Sequence, residues 1–237
     1  MKITCIHPSR QRPYQAFDAC MEWLTKAGDK PIQYILSLDT DDPQMEEYIR
    51  VFNQLSGWVR VLINPNRSIV DAVNNGAKKA TGDLFVVVSD DFSCPDKWDR
   101  ELKKAAGKKT DYIIRTNDGT GSWLITLPIL SKAYYQREGF IYNPDYRHLF
   151  CDTEYTHKAI LMVRVIETDL VFPHNHYTTG RTKKDAVNDK ANSTWNQGMK
   201  VYLTAVSNNF GLKPDQIKGQ FTDPSHIEWL RKEGVVI

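Results

Sequence analysis

The feature that most constrains the 237-residue sequence is an apolar run, Leu84-Phe85-Val86-Val87-Val88, that stops abruptly at Ser89-Asp90-Asp91. Its β-branched content reads as a strand buried on both faces, and such strands sit in the middle of parallel sheets. Parallel neighbours need crossover connections, so helices must alternate with strands before it. The preceding residues supply that alternation. Lys2 to Ile6 reads as a strand, and Phe17, Cys20, Met21 and Leu24 then form one helix face that Gly28 ends. Ile32 to Leu38 predicts a second strand. Asp42 is placed to cap the next helix with Pro43 at its first position, and Met45, Tyr48, Ile49 and Phe52 keep the helical spacing. Val59 to Ile63 is a third strand. Ser68 to Asp71 gives a start like a capping box, followed by a stripe of Ile69, Ala72, Val73, Ala77 and Ala80. The order βαβαβαβ predicts a doubly wound α/β sheet.

In such sheets ligands bind beyond the carboxyl ends of the strands. Four polar loops follow the four strands: His7-Pro8-Ser9-Arg10, Asp39-Thr40-Asp41-Asp42, Asn64-Pro65-Asn66-Arg67 and Ser89-Asp90-Asp91. All four are expected on one edge. The second half is less regular. Asp111 to Arg115, Trp123 to Leu127 and Val163 to Ile166 read as strands, Ser131 to Arg137 as a helix, and Cys151 to Ile160 as another. Thr178 to Asn192 is polar and reads as a mobile loop, and Ser193 to Ile237 as helical pieces.

Composition narrows the class. Hydrophobic residues make up 41% and charged residues 25%, which excludes wholesale disorder. The net charge of +2 does not demand a nucleic acid or an acidic membrane. The longest apolar runs are strand-sized, so no integral membrane segment is expected. Residue 1 opens straight into a strand without a signal-peptide pattern, and the four cysteines form no CxxC pair; both point to a cytoplasmic protein.

Several residue groups can carry chemistry. Paired carboxylates ending a buried strand, Asp90 and Asp91, suit a hard divalent cation that shares its shell with phosphates. Asp39, also at a strand end, is placed to accept from a base edge or a ribose. Asp152 and Glu154 lie two apart at a helix start and point in different directions, so one proton transfer cannot use both. His174 and His176 alternate on an extended segment, face one side, and suit a metal or a phosphate. Arg181, Lys183 and Lys184 are placed to close over a diphosphate. Each group also has a plain structural reading: a cap, a turn or a solvated loop. GxxxxGK[ST], GxGxxG and GxSxG are all missing, which removes common phosphate cradles and a serine nucleophile elbow.

Together these segments resemble family 2 of the glycosyltransferases, with a GT-A fold. The resemblance rests on their order: Ile3 to Pro13 as strand and Pro/Arg loop, Ser37 to Asp42 as a strand ending in acids, and Ala72-Val73-Asn74-Asn75-Gly76-Ala77 to Asp83. It continues with Val87-Val88-Ser89-Asp90-Asp91 as a DxD-type end, Cys151-Asp152-Thr153-Glu154, and Val171 to His176. It covers residues 2 to 177 and is strongest from Ala72 to Asp91. Three positions depart from it: Ser89 replaces the first Asp of DxD, Cys151 replaces a Glu, and Val73 stands where the family often has Arg.

The resemblance implies a Rossmann-like domain with a mostly parallel sheet over residues 1–177. Residues 1–91 would be the nucleotide-sugar half and 92–177 the acceptor-side half, followed by a mobile basic loop and helical extension over 178–237. It implies metal-dependent, inverting transfer of a hexosyl or pentosyl group from a nucleotide-diphosphate sugar, expected to be UDP-linked, to an acceptor hydroxyl. Asp152 would be the general base. Asp91, with His174 and His176, would hold Mn²⁺ or Mg²⁺. Pro8, Ser9, Arg10, Asp39, Asp41, Arg67, Asn74, Ser89, Asp90 and Arg181 would contact the donor. A sugar nucleotidyltransferase and a nucleotide-sugar-binding protein without turnover are the alternatives; the first lacks its Gly-rich N-terminal loop here. The acceptor stays open among a glycan, a lipid-linked glycan, a protein and a modified nucleobase. Trp123, Tyr134, Tyr135, Tyr142 and Tyr146 are aromatic candidates to line its cleft. The oligomeric state is not legible in the sequence.

Overall fold

A computed structural model of the chain describes residues 1–235. Val236 and Ile237, the end of the expected C-terminal extension, lie outside the described residues. The strands are β1 Ile3–Pro8, β2 Gln33–Asp39, β3 Val59–Asn64, β4 Leu84–Val87, β5 Ile113–Asn117, β6 Ile129–Ser131 and β7 Val165–Val171. They form one seven-stranded sheet in the order β3-β2-β1-β4-β6-β5-β7. The pairs β3–β2, β2–β1, β1–β4 and β5–β7 are parallel, and β6 runs antiparallel to both β4 and β5. The α-helices are α1 Pro13–Thr25, α2 Met45–Phe52, α3 Ile69–Ala77, α4 Trp98–Ala106, α5 Lys132–Glu138, α6 Cys151–Leu161, α7 Ala186–Asn192, α8 Trp195–Ser207 and α9 Pro224–Lys232.

Two cores flank the sheet, and the two-residue side-chain period of a strand divides its residues between them. Along β4, Leu84 and Val86 enter the first core, while Phe85 and Val87 enter the second. That is why the run is apolar at every position. The first core holds Trp23 of α1 and Trp98 of α4, both fully buried with ring centroids 4.9 Å apart. Such a pair contributes about 0.5–1.5 kcal/mol beyond its buried area. The second core holds Val73 of α3, Tyr134 of α5 and Tyr155 of α6, and takes Tyr202, Phe210, Leu230 and Val235 from beyond residue 177.

The local reading needs four corrections. Trp123 to Leu127 is loop, and the strand lies after Pro128, at β6. Ile125 N–H finds the Thr156 hydroxyl at 2.9 Å rather than a strand partner. Asp42 does not cap α2, which starts at Met45; its carboxylate accepts from Gln44 N–H and from Gln11 N–H, both at 2.8 Å. Helix α3 stops at Ala77, short of Ala80. Finally, the polar stretch after Thr178 contains α7, which Asp185 and Asn188 start with a reciprocal capping box. Among the described residues, no helix is long and apolar enough to cross a membrane.

Candidate active site

Parallel registry brings the carboxyl ends of β1, β2, β3 and β4 to one edge: Pro8 stands opposite Ser37, Asp39 opposite Asn64, and Ile6 opposite Val87. Pro8 ends β1, and Ser9 and Arg10 follow it. The Arg10 guanidinium donates to Asp39 Oδ2 at 2.8 Å and to Asp41 Oδ1 at 2.6 Å. Asn66 donates to the other Asp39 oxygen at 2.9 Å and is itself held by Asn75 at 2.8 Å. Asp39 is thus a buried carboxylate with a fixed orientation. Its two oxygens keep spare acceptor capacity, because a carboxylate has about four lone-pair directions. The Arg10 hydrogen bond pulls the Asp41 carboxyl below its ordinary value.

The two acids after β4 have different surroundings. Asp90 is enclosed: His7 Nε2 lies 2.9 Å from Oδ1, Ser9 donates to Oδ2 at 3.1 Å, and the Arg12 guanidinium stands 4.0 Å from Oδ2. The Asp90 carboxylate can only accept, so His7 donates to it from Nε2, while Nδ1 lies 2.7 Å from the Tyr34 hydroxyl. Asp90 therefore binds the β1 loop to the β4 end. Asp91 turns the other way. Ser89 donates to its Oδ1, and His174 Nε2 lies 3.3 Å from its Oδ2. Burial pushes the Asp91 carboxyl up, but the bonds from His174 and Ser89 and the charges of His174 and Arg12 outweigh it, and hold it well below the carboxylate range.

His174 reaches Asp91 because the segment after β7 is stitched to the segment after β4. Asn175 N–H donates to Asp91 O at 2.7 Å, Ser93 N–H to Pro173 O at 3.0 Å, and the His174 ring stacks on Phe92 at 4.2 Å. From the other side, His174 N–H bonds Asp118 O at 2.9 Å. The His176 ring lies 5.0 Å from that of His174, and its pKa is lowered by burial and then by the His174 charge. Asp152 sits in the first turn of α6 and receives Thr153 N–H at 2.8 Å. Burial raises its pKa against these hydrogen bonds and the charge of His174. One imidazole therefore acts on both Asp91 and Asp152. Glu154 serves a different purpose. Asn143 at 3.1 Å and Tyr146 O–H at 2.8 Å hold it, anchoring the loop that leads into α6.

Three further predicted donor contacts have other surroundings. Arg67 pairs with Asp71 at 2.7 Å with its side chain 75% exposed. Asn74 is buried beneath the edge and uses both ends of its amide on backbone, accepting from Ile141 N–H at 3.0 Å and donating to Tyr142 O at 2.7 Å. Arg181 is exposed and lies against Gly119. Two groups that the sequence did not single out do stand here. Arg12 acts on Asp90 and Asp91, and lies only two residues beyond Arg10. His148, four residues before Asp152, is lowered to about 4 by burial, then by the charges of His176 and Arg12. Their only sequence signal is closeness to residues already chosen.

A divalent cation fits this centre in a restricted way. Asp91 and His174 offer one oxygen and one nitrogen donor on facing side chains. No group of three or more His, Cys, Asp or Glu among the described residues could hold a metal. Such a pair suits a cation completed by ligand phosphates, which is the habit of Mg²⁺ and Mn²⁺ at nucleotide sites.

Comparison with solved structures gives the same architecture. S. aureus TarS superposes with a TM-score of 0.64 at 12% identity, over 98% of this chain and 42% of that chain. The chain thus spans less than half the length of that protein. TarS 1-349 in complex with UDP-GlcNAc gives 0.62 at 11%, over 98% of this chain and 71% of that one. A mannosyltransferase, PcManGT from Pyrobaculum calidifontis in complex with GDP-Man and Mn²⁺, gives 0.56 at 12%, over 98% and 79%. At such identities the likeness is one of fold. No curated protein matches the chain by sequence. The sequence profile described as Glycosyl transferase family 2 matches residues 4–183, a span that reaches every strand of the sheet and includes each acid and histidine of the centre. The chain belongs to glycosyl transferase family 2, a family of transferase enzymes, and carries the GT-A fold.

Proposed function

We propose that the chain transfers a hexosyl or pentosyl group from a nucleotide-diphosphate sugar, UDP-linked, to an acceptor hydroxyl with inversion. The observation that carries this reading is the Asp91–His174 pair at the strand-end edge, within electrostatic reach of Asp152 at the start of α6, together with the oriented Asp39 that ends β2. Asp39 accepts the N–H of the base, while Arg10 fixes its carboxylate. Asp91 and His174 are the residues that would hold Mn²⁺ or Mg²⁺, whose chemistry when bound is neutralisation of charge on the departing diphosphate. TarS holding UDP-GlcNAc and PcManGT holding GDP-Man with Mn²⁺ support this donor class and cation.

Asp152 takes the proton from the acceptor hydroxyl as that oxygen attacks the anomeric carbon. Its raised pKa suits that role, because a carboxylate that holds a proton more tightly is a stronger base. His174 stabilises its ionised form from the side of the leaving group. A cytoplasmic setting is supported by four buried, unpaired cysteines. The test is a melting-temperature panel with UDP, GDP, CMP and TDP, each with and without Mn²⁺. A native-state ligand raises the melting temperature. One diphosphate should do so, more strongly with Mn²⁺, and Asp91→Asn should remove the metal-dependent part. No shift with any of the four, in folded protein, contradicts the reading.

A further inference from the structure

The loop after β1 carries a guanidinium whose partner comes from the far end of the chain. Arg12 precedes α1, and its side chain is only 15% exposed. Its Nε donates to Asp185 Oδ2 and its Nη2 to Asp185 Oδ1, both at 2.8 Å. The remaining nitrogen faces Asp90. This two-pronged geometry suits a phosphate as well as a carboxylate. Arg12 also lies within the electrostatic reach of Asp91, His148 and His176, where the donor diphosphate is placed above.

The partner segment is lightly held. Asn188 is the buried residue of α7, and the ties around it are polar: Thr182 to Asn175 O at 2.8 Å, Tyr177 to Asn192, and Lys184 to Asp189. Lys190 carries its charge toward Asp41 on the β2 loop. The segment is thus tied to the loop that follows β1 through Arg12 and Asp185. A segment with few apolar contacts opens at low free-energy cost.

We propose that Arg12 binds the donor diphosphate and that Asp185 occupies its guanidinium fork until the donor arrives. Donor phosphate and Asp185 then compete for one cation, and donor binding unlatches the segment from Thr182 to Asn192. A diphosphate carries more charge than one carboxylate, so the exchange favours the donor, yet the latch subtracts from its affinity. This rests on the donor-site reading in one respect: that a diphosphate is what enters.

The test uses UDP and GDP with Mn²⁺, and uridine and guanosine as phosphate-free controls, on the full chain. Asp185→Asn keeps a good helix cap but removes the competing charge. It should bind the recognised diphosphate about fivefold tighter or more, within the usual range of site coupling, and leave the nucleoside unchanged. Arg12→Lys keeps the charge but loses the fork, and should weaken the diphosphate alone. In the wild type, the diphosphate should speed tryptic cleavage at Lys183 and Lys184. If the wild type binds a diphosphate but Asp185→Asn binds it no tighter, or Arg12→Lys binds it equally well, the latch is overturned and the donor site stands. Protected lysines on diphosphate binding also overturn it. Failure of the wild type to bind either diphosphate overturns both.

Discussion

Residues 1–91 and residues 92–177 deliver side chains to the same edge by different means. In the first region, the site groups leave the ends of parallel strands. Asp39 terminates β2, Ser9 and Arg10 follow β1, and Asp91 follows β4 after Ser89 and Asp90. Ladder hydrogen bonds fix where those ends lie. In the second region, His148, Asp152, His174 and His176 stand on loops or on the first turn of a helix. Phe150, just before α6, takes a left-handed backbone with φ of 72°. That backbone is held by side chains: Asn74 grips residues 141 and 142, Glu154 grips the loop from Asn143 to Tyr146, and α8 packs against Leu149 and Phe150. Strand-end groups depend on the sheet, whereas loop groups depend on a few specific contacts. Single substitutions at the contacts that hold those loops should therefore disturb the site more than changes elsewhere in the sheet's helices and turns.

The largest stability effect should come from Asn74→Ala. It leaves the N–H groups of Ile141 and Tyr142 and the carbonyl of Tyr142 without their partner in a buried place. Urea unfolding should show a loss of about 2–4 kcal/mol. Next comes Gly198→Ala. A Cβ there collides with the backbone carbonyl of Leu149, which cannot swing aside as a side chain can. A loss of about 1–3 kcal/mol is expected, with a fall in transfer rate because the displaced loop leads to Asp152. Its matched control in the first region is Gly28→Ala, whose Cβ would meet the Arg100 Nε at 2.7 Å. That flexible side chain can move, so the change should stay within about 0.5 kcal/mol. Equal losses at the two glycines would erase the contrast.

Acid should separate the regions too. Burial lowers His157 to about 3 and His148 to about 4, both far below the unfolded value of 6.5. Between those limits the unfolded chain takes up protons that the folded chain refuses. This stability is complete above pH 6.5 and is lost as pH falls toward 4 and 3. Each group can contribute a slope of at most about 1.4 kcal/mol per pH unit. Burial raises Asp152 and Glu154, which work in the opposite direction and soften the slope. In the first region, Asp91 and Asp41 are lowered carboxylates, so their contribution is lost only below about pH 4. Unfolding free energy measured from pH 7 to pH 4 should decline, and His157→Gln should flatten the decline. A curve unchanged by that substitution would contradict the assignment.

The smallest effect is expected at Arg67. Its guanidinium is exposed, and its backbone N–H keeps a bond to Asp71 after the change, so Arg67→Ala should leave the melting temperature close to wild type.

The same contrast decides what was legible in the sequence. Strand period, helix stripes and strand-end loops made the parallel half readable, because local pattern and tertiary position agree there. Between β5 and β6 they disagree. Trp123 to Leu127 has strand-forming residues, but Ile125 packs in the second core and Leu127 in the first, and the backbone bonds a side chain instead of a neighbour strand. Arg12 and Asp185 meet across 173 positions, a distance no local pattern encodes. Asn74 entered as a donor contact only through the family resemblance. Its burial and its two-sided grip on backbone are properties of the packed chain. His148 carried no motif, and its place beside Asp91, His176 and Arg12 emerges only once the loop before α6 is folded.

On the proposed reading the first region holds the donor and the second supplies the base; the donor dissociation constant and the single-turnover transfer rate of Asp39→Asn and Asp152→Asn, measured side by side, separate the two roles. Asp152→Asn should keep the wild-type dissociation constant and lose about 10²–10⁴-fold in rate. Asp39→Asn should weaken donor binding and keep the rate at saturating donor. A fast Asp152→Asn enzyme, or one that has lost the donor along with the rate, would contradict the account.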